Sequence, residues 1–204
     1  MSSAESRRVD QSSDNPTSDG IGPSSVLGVT TGTERVGVRR RLLASVGDLG
    51  LIAGWLGALT AAGAVGRALA GRAAEVPPVP LPALDLAAAA VTVLPVGAYL
   101  AATEAGRHQA TLGKRWQGLR VVTVEGAAIG WRRAVVRNVI KLLPWQLAHL
   151  AVSRWIVGVD PSPAILTAYG ASVVLAVGSV AVALRDAEGR ALHDLAAGTR
   201  VVVA

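Results

Sequence analysis

Residues 164–184 form an unbroken run of 21 residues without one charged side chain. As a helix, such a run rises ~31 Å at 1.5 Å per residue, the thickness of a bilayer's hydrocarbon core. Three more apolar runs precede it. Residues 42–66 carry a single charge, Asp48, and residues 83–103 carry only Asp85, near their start. Residues 142–159 are more polar, with Gln146, His149 and Arg154. This third run is read as a span, with a half-buried interfacial helix as the alternative, because polar groups at depth are penalised. Hydrophobic residues make up 51% of the chain and charged ones 17%, which argues against both a disordered chain and a soluble globule.

Basic residues fix an expected orientation. Six Lys+Arg precede the first run, eight lie in the connection 104–141, and three follow residue 184. The other connections hold two (Arg67 and Arg72) and none. Cytoplasmic loops carry the Lys/Arg excess, so both termini and the connection 104–141 are expected inside, which requires an even number of spans. The fold expected is an all-α membrane protein. It is a four-transmembrane-helix bundle over 42–66, 83–103, 142–159 and 164–184, with cytoplasmic amphipathic helices and a small two-stranded β ribbon.

Residues 1–34, with eight serines and little apolar surface, are expected to be a disordered polar tail with no signal-peptide core. The domain proper is then 35–204, with 185–204 as a cytoplasmic tail. Within the connection, Leu112, Trp116 and Leu119 share one helical face and suggest a short surface helix. Residues 120–125 and 199–203 are β-branched and predict two strands that pair. Residues 131–143 predict a second surface helix, which Pro144 separates from the third run. Its Arg133, Arg137 and Lys141 stack at i+4 and would be stabilised by anionic lipid head groups.

Four stretches carry a family resemblance. They are Arg41-Leu-Leu-Ala-Ser-Val-Gly-Asp48, Thr111-Leu-Gly-Lys-Arg-Trp-Gln-Gly-Leu-Arg120, Arg133-Ala-Val-Val-Arg137-Asn138-Val-Ile-Lys141 and Arg190-Ala-Leu-His-Asp194-Leu-Ala-Ala-Gly-Thr199. In this order and spacing the chain resembles the RDD family of bacterial integral membrane proteins from about residue 36 to 204. By match, Arg41, Asp48 and Asp194 correspond to the arginine and two aspartates that name the family, and Glu104 sits where many members carry an acid. Gly47 departs from the pattern, where a larger apolar residue is expected, and the polar third run maps onto no family motif. The resemblance implies a multi-pass protein of the bacterial inner (plasma) membrane. It also implies transport of a small ion or solute, cation–proton exchange being one form.

The candidate polar network is Arg41, Asp48, Glu104, Lys114, Arg137 and Asp194. Asp48 lies two turns inside the first span, where an unpaired carboxylate costs several kcal/mol. It is either a protonatable or cation-binding group, or a latch that pins the connection beneath the bundle. The expected contacts are Arg41 with Asp194, Asp48 with Arg137 or Lys114, and Glu104 with Arg107 or Lys114. His149 is a proton relay if it reaches Asp48 or Glu104; otherwise it bonds a neighbouring backbone group or Ser153. Gly50, Gly54, Ala58, Ala62 and Gly66 recur every fourth residue and form a small-residue face for an intramolecular or homo-oligomeric seam. Pro95 frees the carbonyl four residues before it, either to line a ligand site or to shape the bundle.

Cysteine is absent, and His108, His149 and His193 are scattered, so no metal site or cofactor is expected. P-loop, Rossmann, HExxH and GxSxG motifs are missing, and no enzyme activity is expected. Basic residues sit beside apolar runs, so the expected partner is the lipid bilayer and not nucleic acid. Two functions remain: a transporter or transport subunit acting through Asp48, and a non-transporting adaptor that docks partners or anionic lipid on its basic layer.

Overall fold

The computed structural model describes residues 36–71, 80–156 and 158–204. The expected polar tail 1–34 lies outside them. Helix α1 (Val38–Ala70), α2 (Leu81–Ala105) and α5 (Pro163–Arg185) are each long and apolar enough to cross a membrane, with mean hydropathies of 1.7, 1.8 and 2.0. Helix α4 (Trp131–Ile156) is 26 residues long but falls outside that class, so a bundle of four spans is not established by composition. Its basic residues and His149 lower its average hydropathy.

Residues 131–156 form one continuous helix through Pro144, contrary to the expected break there. Proline removes one N–H, but α4 has α2 on one side and α5 on the other, and that packing carries the helix through. Two ion pairs align α2 and α4. Arg137 meets Glu104 at one end, and Arg154 forks onto Asp85 at the other, at 2.5 and 2.6 Å. The acids are nineteen residues apart on α2 and the arginines seventeen apart on α4, so each helix rises ~26–28 Å between the clamps. The two helices are therefore antiparallel and matched in length.

Helix α3 (Leu112–Trp116) is a single capped turn, shorter than the amphipathic helix expected. The chain turns at Gly118, whose φ of +59° lies in the left-handed region, and this delivers Leu119 into strand β1 (Leu119–Thr123). Leu119 is consequently buried instead of lying on a surface helix. Strand β1 pairs antiparallel with β2 (Thr199–Val203), from Leu119↔Val203 to Thr123↔Thr199. An isolated ribbon is marginal. This one packs Leu119, Val121 and Val201 into a core with Ala44 of α1, Ala101 of α2 and Ala134 of α4, and with Val36 and Ile129 from the segments that lead into α1 and α4. A short helix α6 (Leu192–Ala197), absent from the expectation, leads into β2 through Gly198 at φ +61°.

Pro95 stays inside a continuous α2. The carbonyl it frees, that of Val91, accepts a bond from the Trp55 indole at 3.0 Å, so the gap in the ladder becomes a tie to α1. The small-residue face of α1 is exposed along its length, and no described element of the chain covers it.

Candidate functional site

The ends of α2 and α4, with α3 and α6, bring charged side chains together. Glu104, on the last turn of α2, is wholly buried. It accepts from Lys114 Nζ, from Arg137 Nε at 3.0 Å and from Asn138 Nδ2 at 2.9 Å. Arg137, only 1% exposed, turns its Nη1 to Asp194 and to Thr199 Oγ1. Asp194 also accepts from the Ala191 N–H at 3.1 Å, which closes the first turn of α6. Two carboxylates and two cations therefore neutralise one another in a buried quartet. Its remaining hydrogen bonds come from Asn138, Thr199 and backbone, as burying charge requires.

Asp48 joins the connection differently. Its Oδ2 accepts from Thr111 Oγ1 at 2.6 Å and its Oδ1 from the Gly113 N–H at 2.9 Å. Both donors are neutral. This geometry needs α3 close to α1: a Cβ on Gly113 would stand 2.1 Å from the Ala44 carbonyl oxygen and 2.9 Å from Asp48 Oδ1. Gly47 faces the same approach, since a Cβ there would lie 3.1 Å from Gly113 Cα and 3.3 Å from the Trp116 ring. The departure from the expected large residue at 47 is thus explained, because Trp116 occupies that space.

The expected contacts are corrected in two places. Asp194 is bonded to Arg137, whereas Arg41 donates to the Gly189 carbonyl in the α5–α6 turn. Asp48 is bonded to Thr111 and Gly113, because Arg137 and Lys114 are already committed to Glu104. Of the two partners considered for Glu104, the structure brings Lys114 and not Arg107, whose Nε donates to His108 at 3.1 Å. His149 sits twelve residues beyond Arg137, ~18 Å along α4, so it does not join Glu104. Ser153 donates to the Leu150 carbonyl and to no histidine.

A cavity of about 260 Å³ opens between α1 and α5 beside this network. Arg41, Asp48, Lys114, Arg137, Lys141 and Asp194 line it, with His193. Burial alone would raise the Asp194 carboxyl, but the Arg137 guanidinium outweighs it and holds Asp194 below the usual range. Burial and Arg137 together push the His193 imidazole down to about 3. At neutral pH the cavity therefore meets an ionised Asp194 and an uncharged His193, their atoms 3.6 Å apart.

Thr111, Gly113, Asn138 and Thr199 belong to the site although the sequence points only to charged residues there. All four fall within the sequence stretches that carry the family resemblance. The Asp85–Arg154 clamp has a fainter signal: each charge is isolated in an apolar run, and isolated charges at equal depth seek one another.

The model of the RDD family matches residues 35–198. Among curated proteins and among solved structures, none matches the chain.

Proposed function

The chain belongs to the RDD family, and on that premise we propose that it is a transporter or transport subunit for a small ion or solute, held in the cavity beside Asp48. Three helices long and apolar enough to cross a membrane fit an integral membrane protein. In our reading α4 is the fourth span, since its two clamps to α2 match a helix that crosses. The termini then share one side of the membrane, which we assign to the cytoplasmic side of a bacterial plasma membrane from the basic connections.

The observation that carries the transport reading is the cavity itself. It sets seven ionisable side chains around a space of about 260 Å³ at the end of an apolar bundle. Asp48 is buried there, its two oxygens accepting from neutral donors, Thr111 Oγ1 and the Gly113 N–H. One copy encloses little more space than this, and the exposed small-residue face of α1 is a seam through which copies would complete a path.

Reconstitution into liposomes tests the reading. Proton, cation and anion fluxes are followed for the wild type beside Asp48→Asn. Flux in the wild type and a loss of at least about tenfold in the variant are expected, as for removal of a group that carries the transported charge. Absence of flux in both removes transport; equal flux in both makes Asp48 a latch.

One feature favours the adaptor as a second reading. Trp116 and Trp131 are 73% and 59% exposed at the same end as the exposed Arg115, Arg120, Arg132 and Arg133. Aromatic and basic side chains together suit a membrane interface.

A further inference from the structure

The two lysines of this chain, Lys114 and Lys141, both line the cavity, although every other cation in the sequence is arginine. Lys114 is bonded to Glu104. Lys141 has no carboxylate within ion-pairing distance among the described residues: the quartet is balanced without it, and Asp48 is filled by Thr111 and Gly113. Its stem lies in α4, one turn before Pro144. On the far side of Lys141 a second space, of about 430 Å³, runs between α4 and α5. That space is apolar, walled by Leu143, Trp145, Leu175 and Ala176. Lys141, Ser179, Val180 and His193 border both spaces. A charged chamber and a greasy groove thus share one wall, and that wall carries an ammonium without an ion-pair partner.

We infer that this wall is a binding site for one phospholipid with a small, net-anionic phosphate head, its acyl chain in the α4–α5 groove and its phosphate on Lys141. The complementarity is of charge and of shape. A compact ammonium serves a phosphate oxygen as a point charge. With α4 as a span, as proposed above, the groove opens between two spans towards hydrocarbon, and the chain enters without crossing water. The site shares the cavity assigned to solute but does not require transport. Its occupant would sit as a cofactor lipid, and its exchange with bulk lipid would be slow compared with lipid on the surrounding helix faces.

Native mass spectrometry of the full chain in neutral detergent tests this, with dioleoyl phosphatidate, phosphatidylglycerol, phosphatidylcholine and inorganic phosphate as the probes. One phosphatidate or phosphatidylglycerol is expected to be retained at least about tenfold more tightly than phosphatidylcholine. Lys141→Gln should lose that preference and Lys141→Arg should keep most of it. Ala176→Trp fills the groove without touching charge and should weaken retention at least about fivefold; Ser179→Leu serves if the first variant does not fold. Inorganic phosphate should neither bind measurably nor displace the lipid. Equal retention of the choline lipid, unchanged retention in Lys141→Gln, or displacement by inorganic phosphate would each overturn the inference. Flux is not a readout: a chain that moves nothing yet retains the lipid supports this inference and removes only the transport reading.

Discussion

Arg137 serves two buried carboxylates at once, and this makes it the residue whose loss costs most. Arg137→Met leaves Glu104 and Asp194 without their shared cation. Removing one partner of a buried ion pair typically costs ~3–5 kcal/mol, which thermal unfolding in detergent should register. Gly113→Ala is the steric counterpart. Its methyl group meets the Ala44 carbonyl 2.1 Å away, so α3 must retreat and the Asp48 bonds must lengthen. A loss of at least ~2 kcal/mol is expected, while Gly130→Ala, with nothing within 4 Å, is the neutral control. His193 supplies a pH dependence. Its folded value of about 3 lies below the ordinary 6.5, so between those values the unfolded chain binds the extra proton and stability falls as the pH is lowered. Asp194, also held low, adds a loss in the same direction only below its ordinary 3.8. From about pH 7.5 to 5.5 the His193 contribution to stability should fall by ~1 kcal/mol; this part of the decline should vanish in His193→Gln. Charges at the ends of apolar runs are readable from the chain, because they stand out there. Their pairing is not. Arg41 and Arg137 are alike as sequence symbols, and only the docking of α6 under α4 decides which of them Asp194 meets.

At the scale of the element, prolines and hydropathy set the limits of reading. Pro95 frees Val91's carbonyl by a rule that needs no structure, but the donor that takes it lies on another helix. A double-mutant cycle measures the tie. Trp55→Phe should cost ~0.5–1.5 kcal/mol in the wild type. In a Pro95→Ala background it should cost less than half as much, since an alanine there restores the N–H that the Val91 carbonyl lacks. In sequence, α4 reads as two pieces because its first half is basic and its second apolar. Packing between α2 and α5 overrides that change of composition. The strands are readable from their β-branched residues, and β2 has the expected bounds, Thr199–Val203. α6 is not, since Leu192–Ala197 is too short to show a period.

At the scale of the molecule, the proposed function requires α4 to cross the membrane beside α2, with the ionic quartet at one end of the pair and Asp85–Arg154 at the other. Everything proposed for the cavity depends on that placement, because α4 supplies Arg137 and Lys141 and forms one wall of the groove. The chain contains no cysteine, so single cysteines can be introduced against a silent background. The most direct test is labelling of Ala127→Cys and Asp160→Cys by a membrane-impermeant maleimide, in sealed vesicles of both orientations. Both positions are exposed, one before α4 and one after it. Labelling from opposite faces of the membrane is the predicted result; labelling of both from the same face would contradict it.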